Sequence, residues 1–217
     1  MSKIALSGNA SGTGTFTFAA PGTNTDRTLT LPDASGTVVL ADATQTLTNK
    51  TIQGGAITLG TAVASTSGTA IDFTGIPSWA KRVTVMLSGV SFASSPGIVQ
   101  FLVGTSGGFA SSYSAALTNA TGFNTESTMA GSLSTFPVGG NGATHDGTTT
   151  WNGRIVLSNL TGNTWVMNGF LATTGTGASS NIFGGAVVLS GVLDRVRLTS
   201  GLAPAFDAGT INVSWEG

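Results

Sequence analysis

The chain has 217 residues, of which only 8% are charged and 40% are hydrophobic, for a formal net charge of -1. Such low charge leaves no basic stripe for nucleic acid and removes charge repulsion as a route to solubility, so self-association is the expected tendency. Without cysteine there are no disulfides and no thiolate metal sites, and a single histidine, His145, rules out a histidine-based metal cluster within one chain.

In chain order, Met1–Gly8 carries one lysine but no apolar h-region, so no secretory leader is expected. No window approaches the ~20 apolar residues of a membrane helix, and synthesis in a cytoplasm is the expectation. Short strand signals follow at 14–19, 27–32, 36–40, 47–52 and 56–59, separated by Pro, Asn, Asp and Gly. Threonine alternates there with single apolar residues, the pattern of a half-buried strand. The segment offers only isolated Phe, Leu, Val and Ile side chains, Phe16, Phe18, Leu29, Leu31 and Val38 among them, too little for an independent core. These five residues are therefore expected to form a stalk or trimer interface covered by sister copies.

Residues 60–70 are small and flexible in composition and read as a linker. The remainder, 71–217, shows longer and more apolar strand signals at 81–88, 97–103, 150–157, 163–172, 183–189, 194–199 and 210–216, with shorter ones at 71–73 and 113–117. In the last, Ile211, Val213 and Trp215 alternate with Asn212, Ser214 and Glu216; Val196 and Leu198 alternate with Arg195 and Arg197. Seven to nine such strands predict an all-β chain whose C-terminal domain is an antiparallel β-sandwich of jelly-roll type, following an extended N-terminal segment over 1–59. Trp79, Trp165 and Trp215 are expected in the core, and Phe92, Phe101, Phe109, Phe123, Phe136, Phe170 and Phe183 in the core or at a subunit interface. The stretches 106–112, 130–147 and 173–181 read as loops.

Two runs carry a resemblance. Residues 14–39, with Phe16-Thr17-Phe18-Ala19 and Arg27-Thr28-Leu29-Thr30-Leu31-Pro32, followed by Asp42-Ala43-Thr44-Gln45-Thr46-Leu47-Thr48-Asn49-Lys50-Thr51-Ile52, resemble an N-terminal element of tailed-bacteriophage fibre and appendage proteins. Residues 71–85, together with the ending Leu193–Leu198 and Phe206–Ile211, are similar to a β-rich C-terminal domain of phage tail proteins. The resemblance implies a homotrimeric structural virion protein, a short tail or neck fibre assembled in the bacterial host cytoplasm. Its N-terminal part would bind other virion proteins. A capsid decoration or head-fibre protein without a receptor role is the alternative, and a secreted adhesin or hydrolase is the remote one.

Candidate chemistry is sparse. Gly104-Thr105-Ser106-Gly107-Gly108 matches G-x-S-x-G, but no helix pattern follows Ser106 and the acid of His145-Asp146 comes after the histidine, so the chain is not expected to be an enzyme. The scattered carboxylates Glu126, Asp146, Asp194 and Asp207 show no pairing for glycoside hydrolysis. Host-surface carbohydrate is the one ligand class with a residue signal. Trp151 and Tyr113 stand beside loops containing Asn141, His145, Asp146 and Asn152, where aromatic faces could stack on sugars and the polar groups bond hydroxyls. The competing reading puts both aromatics in the core or an interface. No cofactor and no metal are expected.

Overall fold

Strands in the C-terminal region follow from alternation of β-branched or aromatic residues with Thr, Ser and Asn. The computed structural model describes residues 11–15, 17, 22, 24–26, 28, 57–94, 97–121, 124–139, 147–175, 178–201 and 204–217, with backbone alone considered at 124–130 and 132. The chain divides into two compact units, 1–50 and 51–217. In the first unit Gly14, Thr15, Thr17 and Thr28 are exposed and outside any strand. Phe16, Phe18, Leu29, Leu31 and Val38 lie outside the described residues.

The second unit is all-β, with no helix among the described residues. Its strands are β1 (Thr58–Leu59), β2 (Val63–Ala64), β3 (Ala70–Thr74), β4 (Arg82–Phe92), β5 (Val99–Thr105), β6 (Gly108–Phe109) and β7 (Tyr113–Thr121). They continue with β8 (Asn124–Leu133), β9 (Phe136–Gly139), β10 (Thr150–Thr161), β11 (Thr164–Thr174), β12 (Ser180–Val188), β13 (Arg195–Ser200) and β14 (Phe206–Glu216). A nine-stranded antiparallel sheet runs β1-β14-β4-β10-β11-β12-β7-β8, with β2 also on β14. A five-stranded antiparallel sheet runs β3-β13-β5-β6, with β9 also on β5.

Both sheets contribute to one core. Val83, Val85, Ile155, Leu157 and Leu171 come from the large sheet, and Phe73, Val99, Phe101, Val103, Val196 and Leu198 from the small one. Tyr113 joins them directly: its hydroxyl on β7 accepts from the Val103 N–H on β5 at 3.0 Å and donates to the Val103 carbonyl at 3.2 Å. The alternation predicted for β13 and β14 is present, with Val196, Leu198, Ile211 and Val213 buried.

Three expectations differ from the structure. Residues 60–70 are not a free linker. Leu59 pairs with Ser214 and Val63 with Ile211, while the Gly60 N–H donates to the Val213 carbonyl at 2.7 Å. Fully buried Ser65 bonds β14 twice, through its N–H to Gly209 and its hydroxyl to Ala208. The chain then crosses to the small sheet as β3, an edge strand on β13. Second, the presumed loop 130–147 contains the end of β8 and all of β9, where Phe136 and Val138 are buried to 1% and 0% exposure. Third, Trp79 is 52% exposed. A tight turn in which the Ala80 N–H donates to the Pro77 carbonyl at 2.9 Å sends Ala80 inward and Trp79 outward.

Candidate functional site

Of the two readings left open for Trp151 and Tyr113, the structure bears out the core one, and neither ring serves as a carbohydrate platform. Trp151 and Tyr113 each have 0% exposure, so neither ring offers a face to a ligand. Trp151 shares the inward side of β10 with Ile155 and Leu157, and its ring lies against Gly139 on β9 so closely that a Cβ there would collide with it. Tyr113 meets Phe136 edge-on, with ring centroids 6.2 Å apart. Asn152 is half-buried and structural: its Oδ1 accepts from the Gly89 N–H at 2.8 Å, beside the irregularity in the β4–β10 pairing. Asn141, His145 and Asp146 lie outside the described residues. Ser106 sits in the β5–β6 hairpin rather than at a strand-to-helix elbow, and its carbonyl accepts from Arg195 Nη2 at 3.2 Å. Among the described residues no group of three or more His, Cys, Asp or Glu could hold a metal ion.

The exposed tryptophan is instead Trp79, in the loop between β3 and β4. Ser78, its chain neighbour, lines an open groove of about 510 Å³ with Ile76, Thr105, Ser106, Val192 and Asp194. Lys81, two residues on, lines a second groove of about 300 Å³ with Arg82, Ser158, Asn159, Glu216 and Gly217. The ring of Trp79 lies beside Gly217, where a Cβ would meet its six-membered edge at 2.8 Å. The surroundings offer hydroxyls, an amide and paired charges. Asp194 Oδ2 accepts from Arg195 Nε at 3.1 Å and Nη2 at 3.0 Å, and Arg82 meets Glu216 at 2.9 Å. An exposed aromatic ring of this kind can stack on an apolar C–H face of a polyhydroxylated ligand.

A third cluster marks the outer side of the small sheet. Arg197 on β13 faces Asp72 on β3 in register and grips it with both Nε, at 2.6 Å, and Nη2, at 2.7 Å. Its guanidinium carbon also stands 4.4 Å from the centre of the Phe109 ring. The Asp72 hydrogen bond is the main reason the Arg197 pKa lies above its usual value; partial burial opposes it and the Asp72 charge adds to it. This bidentate geometry consumes both charges locally and fastens three strands of the sheet.

No family model matches the chain, and neither a curated protein nor a solved structure matches it.

Proposed function

We propose that the chain is a structural virion protein, a short trimeric tail or neck fibre whose unit 51–217 is a β-sandwich head. The observation that carries this reading is the way residues 58–70 enter the head. A chain that joins a mount to a head must pass tension between them. Here the entering segment lies antiparallel along β14, then crosses to β13, and is bonded at Gly60, Ser65, Gly68 and Thr69. The Phe206 N–H donates to the Gly68 carbonyl at 2.8 Å, and the Thr69 carbonyl accepts from the Ser200 N–H and the Thr199 hydroxyl, each at 2.9 Å. These bonds fix the start of the unit to strands of both of its sheets. The low charge of the chain and the N-terminal resemblance support the same reading.

Light scattering on the eluted full chain tests the assembly: three copies are expected, and a monomer at micromolar concentration would overturn it. Immunogold labelling of particles then separates a tail or neck position from a capsid-decoration role. A recognition function is supported by one further observation, the exposure of Trp79, whose near neighbours in the chain, Ser78 and Lys81, line two surface grooves. In this reading the head binds host-surface glycan weakly at each copy, and several copies add through effective concentration. Trp79→Ala should abolish retention on immobilised host polysaccharide without changing the melting temperature; unchanged retention would remove this end of the head from recognition.

A further inference from the structure

The nine-stranded sheet buries one face in the core and leaves the other open, and the two halves of that open face differ chemically. On β4 and β14 the outward positions are mostly polar, with Thr84, Ser88, Thr210, Asn212, Ser214 and the Arg82–Glu216 pair around a half-buried Met86. On β11 and β12 the outward positions include Val166, Phe170, Ile182 and Val188, exposed to 38%, 46%, 61% and 72%. Phe170 and Ile182 are direct cross-strand partners, so their side chains form one continuous apolar ridge. Beside the ridge the register places Gly184 next to Ala116 and Ala186 next to Ser114, small groups that keep the surface shallow. The single charge is Arg154 of β10, opposite Phe170 at the border with the polar half, where its long stem can lie along the ring and its head reach solvent. The Asn168–Gly184 row separates Phe170 and Ile182 from Val166 and Val188, yet four exposed large apolar side chains on two paired strands mark an interaction surface, unlike scattered single residues.

We infer that the outward face of β10, β11, β12 and β7 is the surface on which a second copy of this chain packs. The inference rests on the proposed assembly of copies and adds the face through which they meet. Size fits this occupant. Four strands about 4.8 Å apart and about 30 Å long present roughly 600 Å² in projection, and side-chain relief raises this toward the ~800 Å² per partner of a stable interface. Chemistry fits it too. A foreign partner is selected by charge or by a hydrogen-bonding pattern, and outward positions on β7, β11 and β12 carry no charged residue. A net charge of -1 leaves little repulsion between copies.

Because the chain has no cysteine, Ile182→Cys in the full-length protein introduces its only thiol, with Thr74→Cys on the exposed edge strand β3 as reference. The measurements are mass by light scattering and the rate of maleimide labelling of the native protein. Association of copies with labelling at 182 at least about tenfold slower than at 74 is expected, as for a side chain at an interface centre. Ile182→Lys should weaken association by about tenfold or more while the circular dichroism spectrum stays unchanged, since the position is exposed in the single chain. Phe170→Ser serves as the second variant if the lysine disturbs folding. Copies that associate while position 182 labels as fast as 74 would overturn this face and leave the proposed assembly standing. A monomer throughout would overturn both.

Discussion

Asn181→Ala probes the least apolar part of the core. Asn181 is fully buried on the inward side of β12, in line with Leu171 on one side and Asn119 on the other. Its Oδ1 accepts from Asn119 Nδ2 at 2.9 Å, and its Nδ2 donates to the Leu171 carbonyl and to Ser179 Oγ, both at 3.2 Å. Alanine deletes these three bonds. Asn119 Nδ2 loses its 2.9 Å acceptor and retains the longer bond to Ser179 Oγ, at 3.4 Å, so its donor capacity is weakened inside the core. Each buried polar group left without a partner costs about 1–3 kcal/mol, and the removed side chain adds a small cavity. A loss of about 3 kcal/mol follows, or roughly 6–12 °C in melting temperature for a unit of this size. Urea unfolding of the full chain followed by tryptophan fluorescence measures it. The double variant Asn119→Leu/Asn181→Leu should lose less than the sum of the two single leucine variants, because it removes both partners rather than orphaning one. A single alanine variant within ~0.5 kcal/mol of the parent would refute the reasoning, since the polar row would then be solvated rather than closed.

Tyr113 is the chain's only tyrosine, so tyrosinate absorbance titrates it alone. Burial holds its pKa above the ordinary value of 10.0, partly opposed by the hydrogen bond to the Val103 backbone. The stabilisation is whole below the unfolded pKa and disappears as pH rises through the folded one. Ionisation should therefore begin later than for free tyrosine and coincide with alkaline unfolding; titration at the free value in a folded protein would refute the burial. Tyr113→Phe should move the alkaline unfolding midpoint upward while costing about 1 kcal/mol at neutral pH, through the lost bonds to Val103. Gly139→Ala should destabilise by about 1–3 kcal/mol because its Cβ meets the Trp151 ring, and Gly107→Ala, near nothing but Thr105, should not; equal melting temperatures for the two would count against this packing.

Much of unit 51–217 was legible in the sequence, because period-2 alternation is local. Val196 and Leu198 against Arg195 and Arg197 reads off directly, and so does the inward side of β14. The same rule applied to β10 puts Trp151, Gly153, Ile155 and Leu157 on one face, which marks Trp151 as core; its proximity to the polar loop 141–146 outweighs that pattern only if loop composition is given priority over periodicity. Trp79 needed the turn at Pro77, which no periodicity encodes. β1 and β2, of two residues each, owe their existence to β14, about 150 residues further along the chain, and composition alone could only present that segment as a linker. β8 is equally hidden: its Thr, Ser and Gly carry weak strand signals, and its backbone is fixed by pairing with β7. The Asn119–Asn181 row was illegible for the opposite reason, since a polar residue on a core face looks in sequence like a turn.

The strands β11 and β12 break the alternation in a way that carries information. Trp165, Met167 and Leu171 point inward while Val166 and Phe170 point outward, and Phe183 and Val187 alternate with exposed Ile182 and Val188. A strand apolar on both sides is the pattern of one buried on both faces. In β4 and β14 of the same sheet the outward positions are mostly Thr, Ser and Asn, with Met86 half-buried among them, so the two-sided pattern is most pronounced on the strands that carry Phe170 and Ile182. In the proposed assembly, the scarcity of apolar residues in the first sixty positions directs attention to the N-terminal segment as a place where copies meet. The exposed apolar residues on β11 and β12 extend that proposal to unit 51–217, through surface left uncovered rather than a core left unfilled. If copies meet only through the N-terminal segment, substitutions at Phe170 and Ile182 would leave association untouched; if the head contributes, association weakens with each of them while the core beneath is unchanged.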